Sequence, residues 1–178
     1  MENLSSQFFL KKPLPTKLVL VGFSGAGKSF VGKKIASKLD YPFIDLDRYF
    51  EEKYRFTIFD FFERFGEELF RKLEHDALME VLQREPAVIA TGGGTPCFFD
   101  NMSLINAAAT SVYLQMSNKS LCERLLHAKR PRPLTKTLSP TELANYVEQQ
   151  MQIRSPFYQQ AHYALKGENF SIKTLFPE

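Results

Sequence analysis

Gly22-Phe23-Ser24-Gly25-Ala26-Gly27-Lys28-Ser29 follows directly on the apolar run Leu18-Val19-Leu20-Val21. The octapeptide fits the pattern G-x-x-x-x-G-K-[ST], a loop whose glycines let backbone N–H groups turn inward around a triphosphate. In such a loop the lysine, here Lys28, reaches the β- and γ-phosphates, and the hydroxyl, here Ser29, is placed to hold Mg²⁺. The flanks fit as well. A short β-rich run precedes the loop, and Val31, Ile35 and Leu39 recur behind it at helical spacing. The competing reading is a glycine-rich turn with an incidental lysine.

The chain has 178 residues and 44% hydrophobic content, enough for one domain around one core. Its net charge of +3 is mild and the cations are dispersed, so no nucleic acid partner is required. A basic balance suits anionic ligands, whose local concentration a cleft lined with positive charge raises. Met1 to Lys17 carries Glu2 early and only Phe8-Phe9-Leu10 as an apolar cluster, unlike a signal peptide, and no later run approaches a membrane span. Cys97 and Cys122 lack C-x-x-C or zinc spacing and read as reduced thiols used for packing, which points to the cytoplasm.

Short β-rich runs alternate with helical stretches, the pattern of an α/β fold with a parallel sheet. Strands are expected near 17–22, 42–45, 87–91, 111–115 and 162–166, and helices near 28–39, 47–54, 57–64, 67–84, 118–128 and 140–160. Residues 1–16, with Pro13 and Pro15, read as a loose extension, leaving 17–178 as a single domain. Lys129-Arg130-Pro131-Arg132-Pro133-Leu134-Thr135-Lys136 lies between two helices and is either a solvated linker or a mobile cationic lid spanning about 129–139.

Many ATPases and GTPases hold magnesium with an Asp at the end of a hydrophobic strand. Here the corresponding run, Ala87-Val88-Ile89-Ala90, leads into Thr91-Gly92-Gly93-Gly94, and Asn118-Lys119-Ser120-Leu121 lacks the Asp of a guanine reader. Motor, transporter and GTPase readings weaken. The carboxylates come earlier, in Phe43-Ile44-Asp45-Leu46-Asp47, where a strand end opens on the ligand crevice of an α/β sheet. If the chain is still extended there, one carboxylate can face magnesium and the other an acceptor hydroxyl, the division of labour that phosphoryl transfer needs. The bland reading is an Asp capping a helix over Arg48 to Lys53, and both can hold at once.

From about Lys17 to Leu165 the chain resembles the shikimate kinase family. That family shows a phosphate loop, an aspartate pair after the second strand, G-E-x-x-F-R-x-x-E, a triple glycine, an R-P-L lid and a late R-x-x-x-Y. This sequence carries all of them in order: Gly22 to Ser29; Asp45 and Asp47; Gly66-Glu67-Glu68-Leu69-Phe70-Arg71-Lys72-Leu73-Glu74; Gly92 to Gly94; Arg132-Pro133-Leu134; and Arg154-Ser155-Pro156-Phe157-Tyr158. Singly most are weak; in one order across one domain they are highly specific.

The resemblance implies a five-stranded parallel sheet flanked by helices, like that of P-loop nucleoside monophosphate kinases, with a mobile lid. It implies ATP as co-substrate and Mg²⁺ held by Ser29 and, through water, by Asp45. Asp47 would bind the acceptor hydroxyl, with the role of base open to it. Arg71 and Arg154 would clasp the shikimate carboxylate, as planar guanidinium forks do well, and Glu74, one turn after Arg71, could hold that arginine. Gly93 and Gly94 would offer N–H groups to the substrate, and Phe62 and Phe70 would pack against its ring. The nucleotide would meet Gly25, Ala26, Gly27, Lys28, Ser29 and Phe30, with Arg132 joining Lys28 at the transferring phosphoryl group. Arg124 matches a family arginine near the nucleotide, with Arg130 as the alternative.

Phe30 departs from the family's usual Thr, and the end from Lys166 to Glu178 is shorter than the family's C-terminal helix. His75, His127 and His162 match no catalytic position. The implied reaction is transfer of the γ-phosphate of ATP to the 3-hydroxyl of shikimate, a step of aromatic amino-acid synthesis, by a monomer without nucleic acid or membrane. A gluconate-type sugar-acid kinase and a catalytically silent nucleotide-binding domain are the alternatives.

Overall fold

A computed structural model describes residues 14–128, 137–168 and 170–175. The chain before residue 14, and residues 129–136 of the stretch expected to be a linker or a lid, with Arg130 and Arg132, lie outside the described residues.

The run that precedes the phosphate loop is strand β1, Lys17–Val21, and Leu18 to Val21 are each 0% exposed. Four consecutive apolar residues in a strand can only be satisfied with both faces covered, which places it in the middle of a parallel sheet. The remaining strands are β2 (Phe43–Asp45), β3 (Ala87–Ala90), β4 (Thr110–Gln115) and β5 (Tyr163–Lys166). All pairings are parallel and the order is β2-β3-β1-β4-β5. β1 pairs Leu20 with Ala90 on one side and Leu20 with Val112 on the other. The connections leave β1 on one side for β2 and β3 and on the other for β4 and β5. The crevice beyond the carboxyl end of β1 is therefore the switch point where such sheets take ligands.

Helices α1 (Lys28–Leu39), α2 (Leu46–Tyr54), α3 (Ile58–Leu82), α4 (Asn101–Ala108), α5 (Asn118–Leu126), α6 (Pro140–Tyr158) and α7 (Ile172–Leu175) complete the described elements, with one 3₁₀ turn at Thr95–Cys97. The pair of helices expected near 57–64 and 67–84 is one element with a break at Gly66, whose φ of 79° and ψ of 170° are non-helical. α4 was not expected: it is eight residues long and buries only Asn101, Met102 and Ile105, too short a stripe to register as a period. α6 starts as its sequence directs. Ser139 caps it, Glu142 returns the bond to the Ser139 N–H at 2.8 Å, and Pro140 holds the first position.

The core lies between sheet and helices. Val31, Ile35 and Ala36 of α1, Ala77, Leu78 and Val81 of α3, and Leu143, Val147 and Tyr158 of α6 close over β1, β3 and β4. A second cluster of Phe50, Phe61 and Phe70 joins α2 to α3. It carries the helices that border the crevice. No described helix is long and apolar enough to cross a membrane.

Candidate active site

Gly27 caps α1 with φ 96°, a left-handed turn that a side chain would strain, and no side chain caps that helix end. The first-turn N–H groups of α1 are thus left toward the loop, as an anion site requires. Lys28 is buried, and its Nζ donates to the carbonyls of Gly22 at 2.7 Å and Phe23 at 2.9 Å. It lies along the loop that it would share with a phosphate. Arg124, from α5, donates to the carbonyl of Ala26 at 3.0 Å and reaches that of Gly25 at 3.4 Å. Its guanidinium would stand 3.0 Å from a Cβ placed on Gly27, so it covers the loop from the side opposite the sheet's β2 edge. Phe30 is 60% exposed, with the Lys34 ammonium 4.4 Å from its ring centre.

Ser29 Oγ donates to Asp45 Oδ2 at 2.5 Å. Asp45 ends β2 and caps α2, its Oδ1 accepting from the Arg48 N–H at 3.3 Å. The chain is not extended through Asp47: that residue sits in the first turn of α2. The two carboxylates diverge because a strand ends and a helix begins between them, not by strand alternation. Asp45 therefore caps α2 with one carboxylate oxygen while the other faces Ser29. Ser29 and Asp45 offer two hard oxygens, and no group of three His, Cys, Asp or Glu among the described residues forms a metal cage. That suits Mg²⁺, which keeps several waters and takes few protein ligands. A cavity of about 540 Å³, lined from α1, β2 and α2, reaches this pair.

The triple glycine is where the parts meet. A Cβ on Gly92 would come 2.7 Å from Asp47 Oδ1, one on Gly93 would come 2.5 Å from Ser24 Oγ, and one on Gly94 would come 2.7 Å from the Arg71 guanidinium. The phosphate loop, the second aspartate and the first arginine thus press on three consecutive residues, and only glycine leaves room. Gly92 to Gly94 are buried.

Arg71 is only 7% exposed and is held by two carboxylates. Its NH1 donates to Glu74 Oε2 at 2.8 Å, and its Nε and NH2 donate to Glu67 Oε1 at 3.1 and 2.8 Å. Burial works against its charge, but Glu74 and Glu67 overcome this and raise its pKa above the usual value. The guanidinium lies 4.2 Å from the ring centre of Phe98, 5.0 Å from Phe70 and 5.8 Å from Phe62. Phe62 and Phe70 pack at 4.6 Å between centroids, Phe70 buried and Phe62 half-buried. Glu74 takes a second bond, from Thr95 Oγ1 at 2.6 Å, and the Thr95 carbonyl accepts from Asn101 Nδ2 at 2.8 Å. Asn101 Oδ1 meets His75 Nδ1 at 2.6 Å.

Arg154 comes from α6, is 9% exposed, and stacks 5.5 Å from the ring centre of Phe23 in the phosphate loop. Arg71 and Arg154 both act electrostatically on Cys97 and on Tyr146, although 83 residues separate them in sequence. Glu67, Thr95, Phe98 and Asn101 were not singled out by sequence as site residues. Glu67 alone carried a signal, its i,i+4 spacing to Arg71; the others depend on how β3 leads into α4. His162 accepts from the Ser111 N–H at 3.2 Å between β5 and β4, a fold contact.

The shikimate kinase family model matches residues 24–176. The chain belongs to the shikimate kinase family. A shikimate kinase of Bacteroides fragilis is 45% identical over 147 residues, 83% of this chain and 82% of that one. Among solved structures, a shikimate kinase of Bacteroides thetaiotaomicron is 42% identical with a TM-score of 0.83, covering 86% of this chain and 88% of its own. The Acinetobacter baumannii shikimate kinase in complex with shikimate is 33% identical with a TM-score of 0.77, covering 85% and 83%. A deoxyadenosine kinase from M. mycoides with bound dATP, at 18% identity and a TM-score of 0.51 over 89% and 94%, shares the fold alone. As a shikimate kinase family member the chain is an ATP-dependent kinase with the P-loop kinase fold.

Proposed function

We propose that the crevice transfers the γ-phosphate of ATP to the 3-hydroxyl of shikimate, giving shikimate 3-phosphate and ADP, with the residues above in the following roles. The observation that carries this reading is the convergence of Ser24, Asp47 and Arg71 on Gly92 to Gly94, which joins a phosphate site to an acceptor site. The loop N–H groups, Lys28, Ser29 and Phe30 bind the triphosphate, flanked by Arg124. Ser29 and Asp45 hold Mg²⁺, which when bound neutralises charge on the phosphate oxygens.

Arg71 and Arg154 clasp the carboxylate of shikimate, and Phe62 and Phe70 flank its ring. Glu74, Glu67 and Thr95 keep Arg71 charged and aimed, which lowers the ordering cost of binding. Gly93 and Gly94 donate N–H groups to the acceptor. Asp47 takes the 3-hydroxyl as a hydrogen-bond donor; as the oxygen forms its bond to the γ-phosphorus and the bond to the ADP oxygen breaks, the hydroxyl proton passes to Asp47. Lys28, and Arg132 from the lid at 129–139, stabilise the charge that moves onto the leaving oxygen. Residues 17–178 act as one monomeric domain in the cytoplasm, with neither nucleic acid nor membrane as partner.

Coupled ADP release with purified protein, ATP and Mg²⁺ tests the reading against shikimate, gluconate and no acceptor. Turnover with shikimate alone is expected, stopped by EDTA and restored by Mg²⁺. Turnover with gluconate alone would keep the kinase and overturn the pocket; ATP binding without turnover on any acceptor would leave a silent nucleotide-binding domain.

A further inference from the structure

Tyr158 is fully buried, and its hydroxyl donates to the Gly93 carbonyl at 2.5 Å. That carbonyl and the Gly94 N–H belong to the same amide. We propose that Tyr158 is a positioning residue for the acceptor: by bonding the Gly93 carbonyl it orients the Gly93–Gly94 peptide and strengthens the Gly94 N–H as a donor to shikimate. This rests on the assignment of the pocket to shikimate given above.

Three consecutive glycines have more backbone freedom than any other tripeptide, so a peptide within them keeps one orientation only if something outside restrains it. Ser24 and Arg71 wall the segment sterically. Among the described residues the bond to this carbonyl is the hydrogen bond that fixes the peptide's rotation. A donor on the carbonyl also polarises the amide and makes its N–H a better donor in a low-dielectric site. Gly93 and Gly94 are buried, and no bond from either N–H forms to any described residue. Buried N–H groups are rarely left unpaired, so a ligand is the natural acceptor.

The ring alone does not account for a tyrosine here. It packs against Tyr113 at 5.3 Å between centroids inside the main core, where phenylalanine would fill the same volume without burying a hydroxyl. Burial holds the phenol well above its usual pKa, so it stays a donor throughout the working range. Arg154, one turn earlier on α6, and the Cys97 thiol both interact with the same hydroxyl. One turn of α6 thereby delivers a carboxylate clamp and the restraint on the glycine peptide.

Wild-type turnover of shikimate comes first, since its failure removes the pocket assignment and not the Tyr158 bond. Tyr158→Phe deletes only the hydroxyl. It should raise the KM for shikimate roughly three- to tenfold while the KM for ATP stays unchanged, and Tyr113→Phe, the neighbouring ring, should leave both constants unaltered. An unchanged shikimate KM, or equal rises in both constants, overturns the proposal whatever happens to Tm. In ¹⁵N-labelled protein the Gly94 amide proton should move upfield in Tyr158→Phe and respond less to saturating shikimate; an unmoved resonance also overturns it. Should the variant not fold, wild type alone decides. A slowly exchanging Tyr158 hydroxyl proton that shifts when shikimate binds supports the role, and a hydroxyl proton indifferent to shikimate ends it.

Discussion

Asp45 and Asp47 are two residues apart, yet one bonds Ser29 and a helix N–H while the other lies against Gly92. The proposed roles divide along the same line. Asp47→Asn keeps the shape and a hydrogen-bonding group but cannot take the proton, so kcat in the coupled assay should fall at least 100-fold while ATP binding by titration is unchanged. Near-normal turnover would remove Asp47 from the proton transfer. Arg154→Ala should instead weaken shikimate binding by about 1.5–3 kcal/mol, roughly ten- to hundredfold in KM, the worth of a charged hydrogen bond. The thiols test burial. Burial pushes Cys97 up to about 11, against a smaller lowering by Arg154, and raises Cys122 too. Because a raised pKa leaves little thiolate at pH 8, both should react slowly with a disulfide reagent until the protein is unfolded. Fast labelling of Cys97 in the folded protein would contradict this.

Within elements, the most telling feature is the break in α3. Gly66, at φ 79° and ψ 170°, occupies a region that only glycine visits freely, although a Cβ there would meet nothing within 4 Å. Gly66→Ala should therefore cost about 1–3 kcal/mol through the backbone alone, read as a lowered denaturant midpoint, despite alanine's better helix propensity. Gly32 inside α1 is the opposite case. Its φ is ordinary, but a Cβ would lie 2.5 Å from the Phe43 ring and 3.1 Å from Leu20. Elements with a strong local signal, such as the buried run of β1 or the capped start of α6, were legible in sequence to within a residue or two. The glycine of G-E-x-x-F-R was visible, but whether it broke a helix or ended one depended on α2 and α3 packing through Phe50, Phe61 and Phe70. α4 and the 3₁₀ turn were missed because few of their residues are apolar and buried, while Thr95 and Asn101 are held by Glu74 and His75 of α3 as well as by each other.

At the scale of the molecule, binding should be felt by the whole sheet, because the site draws residues from the ends of β1, β2 and β3 and from α3 and α6. Shikimate at about 100 times its Kd should stabilise the fold by about 2.7 kcal/mol, an upward Tm shift of roughly 5–10 °C for a domain of this size. Gluconate should give none; equal shifts would mean the arginine pair does not discriminate.

What the sequence by itself determined was every feature written in short-range chemistry. The phosphate loop, the helix caps, the alternation of strand and helix, and the residue types that a phosphate, a metal and a carboxylate require are all local, and motif order sufficed to place them in one family. It could not determine that β3 lies between β1 and β2, since strand propensity carries no record of which strand becomes a neighbour. Only the tertiary structure brought positions 24, 47 and 71 around the glycines at 92 to 94. It did so because parallel strands need long crossovers: their carboxyl ends gather on one edge of the sheet, and residues distant along the chain meet where buried hydrogen bonds and charges can be satisfied only by one another.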